Sequence, residues 1–134
     1  MTTNLDHGPG LRTILRVDGW STGAFGVFLL AAAPALRAPL GLPLTWAIPF
    51  GIAMLGGAAV LLLIARYPEI PARSAIAVVA VNALSAVAMV ELAFGDLMPL
   101  TAWGSAFMLS GAAFVATFAA LEFLGLRRGA AVRA

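Results

Sequence analysis

The chain has 134 residues, 62% of them apolar and 10% charged, with eight basic residues against six acidic ones. A soluble domain carries about 45–50% apolar and about 25% charged residues, so this composition excludes an ordinary water-soluble fold, and a net charge of +2 is too small to be a nucleic-acid footprint. There is no cysteine and the single histidine is His7, which excludes disulfides, thiolate metal centres and cysteine nucleophiles.

Residues 1–10 are polar and end in His7-Gly8-Pro9-Gly10, a tail without helix-forming character. In the next turn Arg12 and Arg16 are four apart and share a helix face, as expected for a segment at the lipid headgroups with its guanidinium groups snorkelling. A first span is expected over residues 19–36, with Asp18 as N-cap, Trp20 at the interface and the small residues Gly19, Gly23 and Gly26 close to one face. Ala31-Ala32-Ala33 has the look of a cleavage site, but Pro34 follows it, so the segment reads as a retained span.

Residues 37–43, with Pro39, Gly41 and Pro43, make a turn before a second span over residues 44–65. Pro49 lies in its first turns, where most N–H groups have no helical partner. Ala53 and Gly57 form a small-xxx-small pair suited to close helix packing. The loop of residues 66–73 contains Pro68 and Pro71, which a helix does not cross.

The third span is expected over residues 74–94, where only Asn82 and Glu91 interrupt an Ala/Val/Leu/Ile-rich run apart from serines. At 1.5 Å per residue such a helix is roughly 31 Å long, the thickness of a bilayer's hydrocarbon core. The fourth span, over residues 99–124, is followed by Gly125 and Arg127-Arg128, the usual stop signals of a helix. Residues 125–134 then form a basic tail. The expected fold is therefore all-α, a membrane-spanning four-helix bundle in a single domain.

Four spans place both termini on one side, together with the loop between the second and third spans. That side holds seven arginines and the other only Arg37, so both termini are expected in the cytoplasm. Leu42-Pro43-Leu44-Thr45-Trp46 and Met98-Pro99-Leu100-Thr101-Ala102-Trp103 resemble one another, which suggests two tandem helical hairpins related as a parallel repeat.

Three polar side chains within the spans stand out. Asn82 lies near the centre of its span, where an unpaired amide is costly, and is expected to bond to another helix. On that basis alone Asn82→Ala is worth about 0.6 and at most about 2 kcal/mol. Glu91 is nine residues further on, on the opposite helix face, and is expected near the outer boundary. Glu122 is expected near the inner boundary, in an interfacial salt bridge with Arg127, Arg128, Arg66 or Arg73. Gly104, Met108, Gly111, Val115, Phe118 and Glu122 share one stripe of the fourth span, which is expected to pack against a neighbouring helix.

Leu15-Arg-Val-Asp18, Val81-Asn-Ala-Leu84 and Leu124-Gly-Leu-Arg-Arg128, set in four short spans, resemble small uncharacterised bacterial integral membrane proteins. The resemblance implies a plasma-membrane location and no particular activity. No nucleophile with a base, paired carboxylates at one depth, phosphate loop or metal-ligand cluster is visible. The sequence is accordingly read as non-catalytic, with no cofactor and no metal. Its expected role is an accessory or assembly subunit in the lipid bilayer, associating through small-residue faces as a homo-oligomer or within a larger complex, without nucleic acid. The alternative is a small transporter or channel subunit using Asn82 or Glu91 in an oligomeric pathway.

Overall fold

The computed structural model describes residues 10–133, and their side chains as far as residue 129. The expected tail lies outside the described residues except for Gly10. Four helices follow in order: α1 over Leu11–Leu40, α2 over Leu44–Ala65, α3 over Ala72–Phe94 and α4 over Ala102–Arg133. All four are long and apolar enough to cross a membrane, and no strand occurs among the described residues. The protein is an all-helical, multi-pass bundle.

α1 packs along α2, α3 along α4, and the two hairpins join through α1 and α4, whereas α2 and α3 make little contact. Glycine permits the close approach of the first pair: a Cβ on Gly26 would lie 3.1 Å from the Gly51 carbonyl oxygen, and one on Gly19 2.9 Å from the Leu62 side chain. Gly23 faces Ala58 in the same seam. In the second pair Gly111 receives the Met89 side chain. The interior has two apolar clusters. One, toward the turns that join α1 to α2 and α3 to α4, contains Leu29, Ala33, Leu42, Ala47, Ala93, Met98 and Met108; the other, toward the termini, contains Leu15, Leu61, Ala65 and Val78. Large apolar side chains such as Trp20, Leu84, Phe94 and Trp103 project outward, as a lipid-facing surface requires.

The ends of α1 and α4 depart from the sequence reading. α1 begins at Leu11 after an extended Gly10, so Asp18 lies within the helix and is not its N-cap. The first turns are held by tertiary bonds: the Arg12 guanidinium donates to the carbonyls of Ala65, Tyr67 (2.7 Å) and Pro68 (3.0 Å). Arg12 thus neutralises the carbonyl end of α2, an arrangement the helix dipole favours, where the sequence suggested a side chain reaching to headgroups. At its other end α1 runs through Pro34 and Pro39 to Leu40, which shortens the turn to residues 41–43. α4 continues past Gly125 and Arg127-Arg128, because Gly125 is buried against the Leu11 backbone and acts as a packing residue instead of a stop.

The two Pro-Leu-Thr segments also serve different purposes. Pro43 is the N-cap of α2 and leaves Thr45 inside the helix. Thr101 instead precedes α4, where its hydroxyl accepts the Gly104 N–H (3.0 Å) and donates to the Pro39 carbonyl (2.7 Å), while its own N–H donates to the Leu40 carbonyl (3.0 Å). These bonds join the α1 C-terminus to the α4 N-terminus. Gly41 ends α1 with φ 66°, and a Cβ there would run into the Pro99 carbonyl oxygen. Gly41→Ala should therefore destabilise by about 2 kcal/mol or more, the left-handed backbone alone contributing about 1–2. Unfolding in mixed micelles measures it, and an unchanged midpoint would refute this account of the turn.

Candidate functional site

The described residues hold two buried acids, Asp18 and Glu122, 4% and 0% exposed. They come from α1 and α4, the helices that join the hairpins, and α3 places Asn82 between them. The Asn82 amide nitrogen donates to Asp18 Oδ2 (3.0 Å) and to Glu122 Oε1 (2.7 Å). One amide thus ties three helices together. Asp18 Oδ1 accepts a further bond from the Thr22 hydroxyl one turn on (3.0 Å), a pairing the i,i+4 spacing makes possible. Glu122 Oε2 is buried without a hydrogen-bond partner.

Helix geometry brings these groups together. Side chains lean toward the N-terminus of their helix, so those of Asp18 and Asn82, on the odd-numbered helices, lean toward the terminal side of the bundle. Glu122, on an even-numbered helix, leans the opposite way to meet them. The cluster lies between the two apolar clusters, beside Leu15 and Val78.

This placement corrects the reading of Glu122 as an interfacial salt bridge. The side chain points inward to Asn82, while the Arg127 guanidinium lies over the Phe123 ring, 5.7 Å from its centroid, and Arg66 and Arg73 are exposed. The expected α4 stripe explains why: Gly104, Met108, Phe118 and Glu122 are all buried, so the face carrying Glu122 is the face that packs. Glu91 is exposed and belongs to a separate open groove between α3 and α4, lined by Ala86, Val87, Val90, Ala112, Ala113 and Ala116. Asn82 and Glu91 are not brought together.

The small residues divide likewise. Gly19, Gly23 and Gly26 meet α2, Gly111 meets α3, and Gly104 lies against the Leu40 carbonyl. Ala53 and Gly57 are exposed, and nothing lies within 4 Å of a Cβ placed on Gly57 or on its neighbour Gly56. The expected small-xxx-small packing therefore does not occur among the described residues; Gly51 and Ala58 provide the α2 side of that seam instead.

Asp18 and Thr22 are the members of the cluster that sequence reasoning missed. The available signal was their i,i+4 spacing, obscured because Asp18 also fits the position of a cap. Chemically, the arrangement can bind a proton or a small cation between two enclosed acids. No group of three or more metal-binding side chains occurs among the described residues. No protein-family model matches the chain, and neither a curated protein nor a solved structure does.

Proposed function

We propose that the protein is a small ion-coupled transport protein or transporter subunit of a bacterial plasma membrane, with Asp18, Asn82 and Glu122 as its coupling centre. The observation that carries this reading is two acids buried against a neutral amide within apolar spans. Acidic groups at such depth are expensive, and in membrane proteins they mark ion and proton pathways. A fold seldom depends on such groups, because buried charged groups can often be replaced by apolar residues at little cost in stability. Asn82 keeps the role expected of it in a pathway; Glu91, exposed on the other face of α3, lies outside this centre. The seven-to-one distribution of arginines supports cytoplasmic termini.

Purified protein in proteoliposomes tests the proposal. An imposed pH or sodium gradient should drive ion flux in the wild type, and Glu122→Gln should reduce that flux at least tenfold without changing reconstitution. Absence of flux under either gradient, or flux unaffected by Glu122→Gln, would refute it.

A second reading, association with another membrane subunit or a second copy, is favoured by the open space over Gly56 and Gly57. Close helix approach in lipid uses such small-residue faces. Gly57→Leu should then abolish chemical cross-linking in native membranes while leaving the fold intact, and unchanged cross-linking would discard this face as a contact.

A further inference from the structure

Resting on the transport reading, we propose that the ligand of the centre is a single proton per chain, carried by Glu122 at Oε2, with Asp18 as the fixed anion beside it. Counting donors leads to this assignment. The two amide hydrogens of Asn82 are used, one on Asp18 Oδ2 and one on Glu122 Oε1, and the Thr22 hydroxyl serves Asp18 Oδ1. Three of the four carboxyl oxygens thus have a donor. The fourth, Glu122 Oε2, is enclosed and has none.

The two oxygens on the Asn82 nitrogen can be no farther apart than the two bonds laid end to end. Two ionised carboxylates that close in a low-dielectric interior repel strongly, and one proton on the pair relieves the repulsion. Asp18 accepts from two donors and Glu122 from one, so the proton belongs on Glu122 and the negative charge on Asp18.

Among the described residues, no hydrogen bond joins a basic side chain to either acid. α1 contributes Asp18 itself, while its Arg12 is bonded to the carbonyls that end α2 and its Arg16 is exposed. α2 brings only apolar side chains to the cluster. α3 brings Asn82, with Arg73 and Glu91 both exposed. On α4, Arg127 and Arg128 follow Glu122 toward the C-terminus, and Arg127 is exposed.

Release breaks the O–H bond at Oε2, leaves its electron pair on that oxygen and transfers the proton to water. The pair then carries two negative charges in place of one. The enclosed state opposes this, so proton release requires water or a cationic solute to enter, which links release to opening of the bundle.

Infrared spectroscopy of the full-length protein in lipid nanodiscs tests the assignment. At neutral pH we expect one protonated-carboxyl C=O band per chain, shifted by deuterium oxide once exchange is complete. The band should also shift with 13C-glutamate but not with 13C-aspartate, and should be lost in Glu122→Gln. Replacing choline chloride with sodium chloride should leave it unchanged. The assignment is overturned if the band is absent, if it follows the aspartate label, or if sodium removes it and so identifies a cation site. The isotope labels separate glutamate from aspartate, and Glu69→Gln and Glu91→Gln, at exposed side chains, should leave the band in place, so the test stands even if Glu122→Gln misfolds. If the band is present without flux in proteoliposomes, the transport reading fails and the proton assignment survives; flux without the band gives the reverse.

Discussion

Asn82→Leu should destabilise the bundle by about 3 kcal/mol, because Glu122 loses its only donor and Asp18 one of its two, and each buried acceptor left unsatisfied costs about 1–3 kcal/mol. This exceeds the roughly 0.6, and at most about 2, kcal/mol of a single interhelical bond in lipid, the range the sequence supported. The difference arises because the amide nitrogen serves Asp18 and Glu122 together. A double-mutant cycle between Asn82→Leu and Glu122→Leu, read by unfolding in mixed micelles, should give a coupling of about 1–3 kcal/mol, as expected for residues in one hydrogen-bonded network. Additivity within about 0.3 kcal/mol would mean that the two side chains do not share this bond.

Gly104→Ala should cost about 1–2 kcal/mol. A Cβ at this position would overlap the Leu40 carbonyl oxygen and lie 3.0 Å from its carbon, and backbone cannot move aside as a side-chain tip can. Overpacking of this kind costs about 1–3 kcal/mol or more, against a helix-propensity gain of about 1 kcal/mol for replacing Gly by Ala. The Leu40 carbonyl is also the acceptor of the Thr101 N–H, so the substitution would disturb the α1–α4 junction. Gly57→Ala is the control, with open space around it, and should be neutral or stabilising by up to about 1 kcal/mol. If both substitutions behave alike, the close approach of α1 and α4 at Gly104 is wrong.

The four helices were legible because long apolar runs separated by Pro and Gly leave few alternatives for a chain in lipid. α2 occupies the expected residues 44–65, since Pro43 and the proline-rich loop beyond Arg66 punctuate both of its ends. The extra turns of α1 and α4 were not legible because they depend on tertiary partners: Arg12 on the α2 carbonyls and Gly125 on Leu11. Asn82 stood out as an amide in an apolar run. Glu122 was misplaced because nearby arginines suggested a headgroup-level ion pair, whereas burial of the α4 stripe directs the side chain inward. Which residues meet at one depth depends on the relative heights of three helices, and local spacing along a single chain does not encode those heights.

If the acids of the cluster serve function alone, the fold should survive their replacement. The unfolding free energy of the triple variant Asp18→Leu, Asn82→Leu, Glu122→Met in a lipid environment tests it most directly. Replacing a buried polar group as a whole by apolar side chains of similar volume removes the desolvation penalty along with the attraction, and is often neutral or stabilising by about 1–4 kcal/mol. The triple variant should be at least as stable as the wild type, although Asn82→Leu alone is destabilising. A triple variant less stable than the wild type by several kcal/mol would show that the cluster fastens the helices together, and would contradict the claim.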